Sequence, residues 1–232
     1  MTLCAKLVSR RPDLVDLAQG FAGATALALL GMPALKRVKL AQPRQDGGLS
    51  LERCIGQRRS VRHFRDQALT KDELGQLLWA AQGLTGPDGG RAVPSAGALY
   101  PLELYVLARN VASLTSGIYR YRIGRHELHL ASSGYDPEAL IDAAFGQDWI
   151  ASAPACISIA AIFQRTTVKY GDRGHRYVCL EAGHAAENVM LEAVALGLGT
   201  TMVGAFSDDE VGRVLRLNAN EVPLCLIPVG KP

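Results

Sequence analysis

The chain has 232 residues, of which 48% are hydrophobic and 20% are charged, and its formal net charge at pH 7 is +3. This length is enough to bury a substantial core, and the composition is typical of a globular protein and not of a disordered one. So small a net charge gives no support to a nucleic-acid-binding function. The five cysteines are scattered, without a Cys-x-x-Cys pair, which argues against a disulfide framework or a zinc site. We therefore predict no metal.

The first 49 residues differ from the rest of the chain. Paired arginines at residues 10–11 precede an Ala- and Leu-rich stretch over residues 21–35, which is shorter than the ~20 apolar residues of a membrane-spanning helix. This arrangement has elements of a twin-arginine export signal to the periplasm, although acidic residues follow the arginines. The alternative, which we favour, is an amphipathic helix packed on the body of a cytoplasmic protein. A polar linker over residues 42–48 then leads into the main domain, residues 50–232.

Two helices with recognisable N-terminal caps open the main domain. Ser50 is the predicted cap of a short helix that ends at Gln57. Thr70 and Glu73 form a predicted capping box, in which each side chain accepts a hydrogen bond from the other residue's backbone N–H. The helix that this box begins is predicted to end at Gln82.

The segment between these helices, residues 58–65, is strongly basic. It carries four arginines, a histidine and a serine within eight residues. Guanidinium forks and a hydroxyl donor match the geometry of phosphate oxygens, so we predict an anion-binding site here. The alternative is a solvated basic turn. The candidate binding residues are Arg58, Arg59, Ser60 and Arg62.

A stiff loop of small residues precedes the first long apolar strand, which is predicted over residues 102–108. Pro94 and Pro101 bracket this loop, and the side chains between them are mostly tiny. Small side chains allow a planar ring to lie against the backbone, and the Ser95 hydroxyl could donate a hydrogen bond to it. The loop alone is not a specific signal, because many turns combine proline with small residues.

The remaining elements lie on either side of a long central helix. Alternating and continuous apolar runs predict strands, and proline or a capping box marks the helix starts. Before the central helix, the predicted elements are two strands over residues 119–130 that turn at Gly124, a helix over 137–145, and a buried strand over 155–163. After it come a helix that begins with a capping box at Ser207–Glu210 and ends at Leu217, and a last strand over 222–229.

The central helix, predicted from Glu181 to Leu198, has an apolar face of helical period and an opposite face unusually rich in Ala and Gly. Small side chains let other backbone approach closely, which suits a helix packed on several sides or one that crosses a partner subunit. Gly197 and Gly199 end the helix, and the joint with the next strand could bring main-chain atoms near a flat ligand. The alternative is a core helix with no further role.

Taken together, these motifs resemble the nitroreductase-like flavoprotein family, and more narrowly its SagB/ThcOx branch of dehydrogenases. The resemblance rests on five segments, residues 58–62, 94–101, 169–173, 181–188 and 197–199, and it covers roughly residues 50–232. It implies an α+β sandwich with a central, mostly antiparallel sheet flanked by helices. It also implies a homodimer that binds FMN at the subunit interface.

The resemblance also implies roles for individual residues. Residues of the basic run would hold the FMN phosphate and ribityl chain: Arg58, Ser60 and Arg62, with Arg59 between them. Residues of the stiff loop would lie against one side of the flavin ring: Pro94, Ser95, Ala96 and Gly97. The joint after the central helix, at Leu198 and Gly199, would meet the pyrimidine edge of the ring. Lys169 and Tyr170 match the Lys-Tyr pair that peptide-azoline dehydrogenases use in catalysis.

Three functions are compatible with this reading. The preferred one is an FMN-dependent SagB/ThcOx-type dehydrogenase that acts on a small molecule or an azoline-containing peptide. The second is a nitro- or quinone-reductase that takes electrons from NAD(P)H. The third is a non-catalytic flavin-binding subunit of a peptide-modifying complex.

Overall fold

The computed structural model of the protein describes residues 36–232. The paired arginines and the apolar stretch over residues 21–35, on which the export and helix hypotheses depend, lie outside the described residues. None of the described helices is both long and apolar enough to cross a membrane.

The described residues form one seven-stranded sheet in which every pair of neighbouring strands is antiparallel. The strand order across the sheet is β1-β4-β3-β2-β5-β7-β6. The predicted α+β class and the antiparallel sheet are confirmed. The strands are β1 (Arg37–Lys39), β2 (Leu102–Ala108), β3 (Gly117–Arg122), β4 (Glu127–Ser133), β5 (Ala155–Ala161), β6 (Gly199–Thr200) and β7 (Val222–Gly230).

Helices cover both faces of this sheet. Ser50 and the Thr70–Glu73 capping box begin the first two helices as predicted, because the hydroxyl oxygens accept backbone N–H groups that the first helical turn leaves unpaired. The helices are α1 (Leu51–Gln57), α2 (Lys71–Gln82), α3 (Pro137–Ala143), α4 (Trp149–Ser152), α5 (Gln164–Tyr170), α6 (Arg173–Ala195) and α7 (Asp208–Leu215).

The hydrophobic core consists of two layers, one on each side of the sheet. Strand β2 lies near the middle of the sheet and is buried along its whole length. Because successive side chains of a strand point to opposite faces, they alternate between the two layers. Leu104 and Val106 pack in the layer that contains α2 and α6, whereas Leu107 packs in the layer that contains α3 and α7. Burial on both faces explains why β2 and β5 are almost wholly apolar in the sequence, with Glu103 and Ser158 as the exceptions.

The domain begins before residue 50, so the predicted boundary after residue 49 is too late. Strand β1 pairs with β4, and Leu40 is 3% exposed within the core. Arg44 also exchanges two hydrogen bonds with the Gln76 side chain of α2, at 2.8 and 3.0 Å. Sequence reasoning missed β1 because a three-residue strand at the sheet edge is too short to show a pattern of alternation.

The helices in the second half of the chain differ from the prediction at their ends. Helix α6 begins at Arg173, eight residues before the predicted start, and ends at Ala195. Helix α7 begins after Ser207, but the serine side chain makes no capping hydrogen bond, so the predicted capping box is wrong. Its C-terminal end comes before Leu217, because Arg216 adopts a left-handed conformation with φ of 58°.

Candidate functional site

The basic segment lies directly beside the joint that follows α6. The Val61 N–H donates a hydrogen bond to the Thr200 carbonyl at 2.9 Å, and Ser60 forms an isolated bridge with Thr200. A Cβ atom at Gly199 would lie 2.7 Å from the Val61 side chain, so a glycine is needed for this approach. Two regions predicted for the cofactor from separate motifs are therefore neighbours in the fold.

The side chains of the basic segment are differently engaged. The Arg58 Nε lies 3.9 Å from a carboxylate oxygen of Glu187 on α6. Arg59 donates to the carbonyls of Gly56 and Arg58 at 3.1 and 2.7 Å, so it holds the end of α1. Arg62 stacks over the Trp149 ring at 5.6 Å. Arg59, Ser60 and Arg62 are exposed and Arg58 is half-buried, which leaves donors accessible to an anion.

Lys169 and Tyr170 reach the loop of small residues that sequence reasoning assigned to the flavin ring. Both residues are in the last turn of α5. A Cβ atom at Gly97 would lie 2.8 Å from the Tyr170 hydroxyl oxygen and 2.9 Å from the Lys169 Nζ. Gly97 also has a φ of 64°, a conformation that L side chains rarely adopt. The fold thus brings the predicted catalytic pair and the predicted ring-binding loop together.

The turn between α5 and α6 sets the position of this pair. Gly171 has a φ of 55°, and its N–H donates to the Thr167 carbonyl at 2.8 Å. A Cβ atom at Gly174 would lie 2.9 Å from the Thr167 Cα, so the two helices touch backbone to backbone. Tyr170 also packs edge-on against Tyr177 of α6, with 5.1 Å between ring centroids. The tyrosine is therefore held from two helices.

A polar cluster, which consists of Gln82, Arg91, Ser95 and Glu181, is next to the same loop. Gln82 and Glu181 are buried, and Arg91 and Ser95 are half-buried. Arg91 donates to the Gln82 side-chain carbonyl at 2.9 Å. Burial raises the pKa of Glu181, and the Ser95 hydroxyl and the Arg91 charge oppose that shift. Glu181 is 3% exposed, and its Oε1 has no hydrogen-bond partner among the described residues. The Glu181 carboxyl is thus more easily protonated than an exposed one.

The two halves of the predicted site are distributed along α6. Glu181 lies at the loop half and Glu187 at the basic half, and six helical residues correspond to about 9 Å along the axis. Sequence analysis used these acids only within segment 181–188 of the family resemblance, gave them no role, and did not assign Gln82 or Arg91. An acid within an Ala-rich helix was the one signal that could have indicated Glu181.

A cavity of about 740 Å³ in the described chain lies away from these residues. Residues of β4, α3 and α7 line it, and none of the predicted site residues does. It is therefore on the opposite side of the sheet from α6. Within residues 36–232, no cluster of three or more His, Cys, Asp or Glu side chains is arranged to hold a metal ion.

Comparison with known sequences decides the family. The sequence profile of the nitroreductase family matches residues 55–231. The chain belongs to the nitroreductase family. The nitroreductase-family protein MJ1384 of Methanocaldococcus jannaschii is 46% identical over 183 residues, which are 79% of this chain and 91% of that protein.

Two peptide-processing proteins are further relatives of this nitroreductase-family chain. The microcin B17-processing protein McbC of Escherichia coli is 28% identical over 156 residues, and the chain spans 54% of its length. The trifolitoxin-processing protein TfxB of Rhizobium leguminosarum is 30% identical over 141 residues, and the chain spans 37% of its length. The resemblance to the branch that includes peptide-modifying dehydrogenases is confirmed.

Solved structures of the family confirm the fold. A nitroreductase-family protein from Ralstonia eutropha superposes with a TM-score of 0.72 at 27% identity, over 84% of this chain and 89% of that one. A chain of the E. coli microcin synthetase McbBCD complex with truncated pro-MccB17 bound superposes with a TM-score of 0.64 over 92% of this chain and 85% of that one. At 23% identity the second match shows the fold alone.

Proposed function

We propose that this protein is an FMN-dependent oxidoreductase of the SagB/ThcOx type, which oxidises a small molecule or an azoline-containing peptide. The observation that carries the proposal is the contact of Lys169 and Tyr170 with Gly97 in a chain of the nitroreductase family. An amine and a phenol at the loop that would face the flavin are suited to proton transfer beside a hydride acceptor. The peptide substrate is proposed because McbC and TfxB are peptide-processing proteins.

The described residues fit an FMN group. Arg58, Ser60 and Arg62 offer the guanidinium and hydroxyl donors that a phosphate needs, on a segment held against Thr200. Gly97 lets the Lys169 and Tyr170 side chains lie against the loop, and Gly199 lets the joint lie against Val61 of the basic segment. A bound flavin supplies hydride acceptance, and the protein supplies binding and orientation.

The chain's own residues would divide the remaining work. The Lys169 amine would take the proton that leaves the substrate when its hydride departs. The Tyr170 hydroxyl, held by Tyr177 and directed at the loop, would orient the substrate. Backbone N–H groups of the joint at Gly199 would stabilise negative charge that develops on a reduced ring. We also propose that the protein is located in the cytoplasm.

A nitro- or quinone-reductase supplied by NAD(P)H is the second candidate. It is favoured by the 46% identity to MJ1384, a relative named as a nitroreductase. The two functions make different demands on the chain, because hydride transfer from NAD(P)H to a flavin needs no base on the protein. A side-by-side assay with a thiazoline-containing peptide and a quinone therefore separates them.

FMN binding is tested by replacing Arg58. We expect Arg58→Ala to weaken FMN affinity by about 10- to 100-fold, because a charge-assisted hydrogen bond to phosphate contributes about 1.5–3 kcal/mol. Fluorescence titration of the flavin-free protein measures this. Arg53→Ala, an exposed arginine of α1 outside the basic segment, is the control and should bind like wild type. A colourless protein that neither FMN nor FAD reconstitutes would contradict the proposed function.

We also propose a homodimer with FMN between the subunits. Leu51 and Ile55 of α1 and Leu180 of α6 are large apolar side chains that are 61%, 58% and 54% exposed on the elements that carry the site. Two-fold symmetry is the commonest closed arrangement of identical chains. We expect Ile55→Lys to give a monomer by light scattering and to lose FMN. Phe145→Lys, at an equally exposed position near α3, should remain dimeric. A monomeric wild type with FMN bound would exclude this arrangement.

A further inference from the structure

The loop that contacts Lys169 and Tyr170 has an unfavourable backbone conformation. Gly97, Ala98 and Tyr100 have φ values of 64°, 55° and 48°, which lie in the left-handed region. Residues with a Cβ atom rarely adopt this region, because the Cβ comes too close to the backbone. Such a conformation persists only where surrounding contacts impose it, and it is concentrated at functional sites.

Tyr100 is where those contacts are made. Its N–H donates to the Ser95 hydroxyl oxygen at 2.9 Å, which closes the loop on itself. Its carbonyl accepts a hydrogen bond from Arg165 Nη1 at 2.9 Å. Its ring lies under the Arg91 guanidinium, with the Arg91 Cζ 4.2 Å from the ring centroid. Backbone donor, backbone acceptor and side chain of this residue are therefore all engaged.

Arg165 connects this tyrosine to the helix that carries the proposed catalytic pair. It lies in α5, one helical turn before Lys169. Its second terminal nitrogen, Nη2, donates to a Glu103 carboxylate oxygen at 2.7 Å, at the beginning of β2. The two nitrogens of one planar guanidinium thus hold the loop and the sheet in fixed relation to α5. A lysine ammonium could replace the charge but not this two-pronged geometry.

We infer that Arg165 is a positioning residue, which sets the distance between the Gly97–Tyr100 loop and the side chains of Lys169 and Tyr170. Its effect on catalysis depends on the proposed function, but its effect on the loop does not. The loop is connected to α5 at both of its ends. Arg165 binds the Tyr100 carbonyl at one end, and Lys169 lies against Gly97 at the other. Removal of Arg165 releases the Tyr100 end of the strained loop, while the two core layers, to which Arg165 does not belong, stay packed.

Hydrogen–deuterium exchange of the flavin-free protein tests whether Arg165 holds the Gly97–Tyr100 loop in place. We expect Arg165→Met to make amide exchange over residues 95–101 about 10- to 100-fold faster, as for the loss of one charge-assisted hydrogen bond. Arg165→Lys should keep the wild-type thermal midpoint, through its charge pair with Glu103, and still exchange fast in the loop. Arg125→Met, at an exposed arginine that pairs with Glu127, is the control and should leave the loop unchanged. Unchanged loop exchange in Arg165→Met, or full protection in Arg165→Lys, would overturn the inference.

Kinetics and absorption spectra of the flavin-loaded protein test whether the position of the loop affects catalysis. Arg165→Lys is expected to retain FMN, to shift its visible absorption spectrum, and to lower kcat for dehydrogenation by at least about 10-fold with little change in KM. Wild-type kcat together with fast loop exchange would overturn the positioning role. If wild-type protein binds no FMN, the proposed function fails, and the exchange experiment still decides whether Arg165 holds the loop.

Discussion

Lys169→Ala is expected to lower the rate of dehydrogenation of a thiazoline-containing peptide by about 10²–10⁴-fold, which is the usual contribution of a positioned general acid or base. The fold and the bound FMN should be retained, because the Lys169 side chain is exposed and lies outside the core. Steady-state kinetics with the peptide, together with the flavin absorption of the purified variant, measure both effects.

Quinone reduction supplies the internal control for this experiment. With NAD(P)H as donor, Lys169→Ala should reduce a quinone nearly as fast as wild type, because no substrate proton has to be removed. Tyr170→Phe separates two roles of the phenol: a small loss indicates orientation by the ring, and a large loss indicates that the hydroxyl carries the proton. Equal losses in both assays, or a loss in neither, would remove Lys169 from the catalytic residues. Bound FMN without turnover in either assay would favour the non-catalytic subunit.

Arg120→Ala is expected to lower the free energy of unfolding by about 3–5 kcal/mol, because it leaves the buried Glu221 carboxylate without its guanidinium partner and Glu103 with Arg165 alone. Arg120 Nη2 lies 3.0 Å from Glu103 and 2.8 Å from Glu221, and the Glu221 side chain is completely buried. The Tyr105 hydroxyl donates to Glu221 at 2.7 Å, and burial raises the pKa of that tyrosine, so it stays a neutral donor that does not replace the lost cation. Denaturant titration measures the change.

An exposed arginine on a neighbouring turn gives the comparison for this loss. Arg125 lies 3.9 Å from Glu127 and its side chain is 71% exposed, so Arg125→Ala should leave the denaturation midpoint unchanged. A loss for Arg120→Ala of less than about 1 kcal/mol would mean that water replaces the guanidinium, and that the network is less buried than its geometry indicates.

Elements that depend on neighbouring residues could be predicted from the sequence. The Ser50 cap and the Thr70–Glu73 capping box are formed by side chains within three residues of the backbone groups they bind. The apolar runs of β2 and β5 are long enough to indicate strands buried on both faces. A prediction from local sequence was wrong where a tertiary contact competes. Ser207 begins a helix, but its backbone N–H binds the Ala143 carbonyl and its hydroxyl makes no capping hydrogen bond.

The candidate site divides in the same way. Residue types indicated a candidate anion site at residues 58–65 and a loop of small residues between Pro94 and Pro101. The family resemblance assigned FMN contacts within these two segments and indicated Lys169 and Tyr170. Their roles remain predictions. Only the tertiary structure decided that Gly97 meets Lys169 and Tyr170, and that Val61 lies against Gly199. It alone decided that Arg165 holds Tyr100, because these residues are 65 positions apart and no local pattern relates them. Sequence periodicity records which face of an element is buried, whereas the partner on that face depends on how distant elements pack.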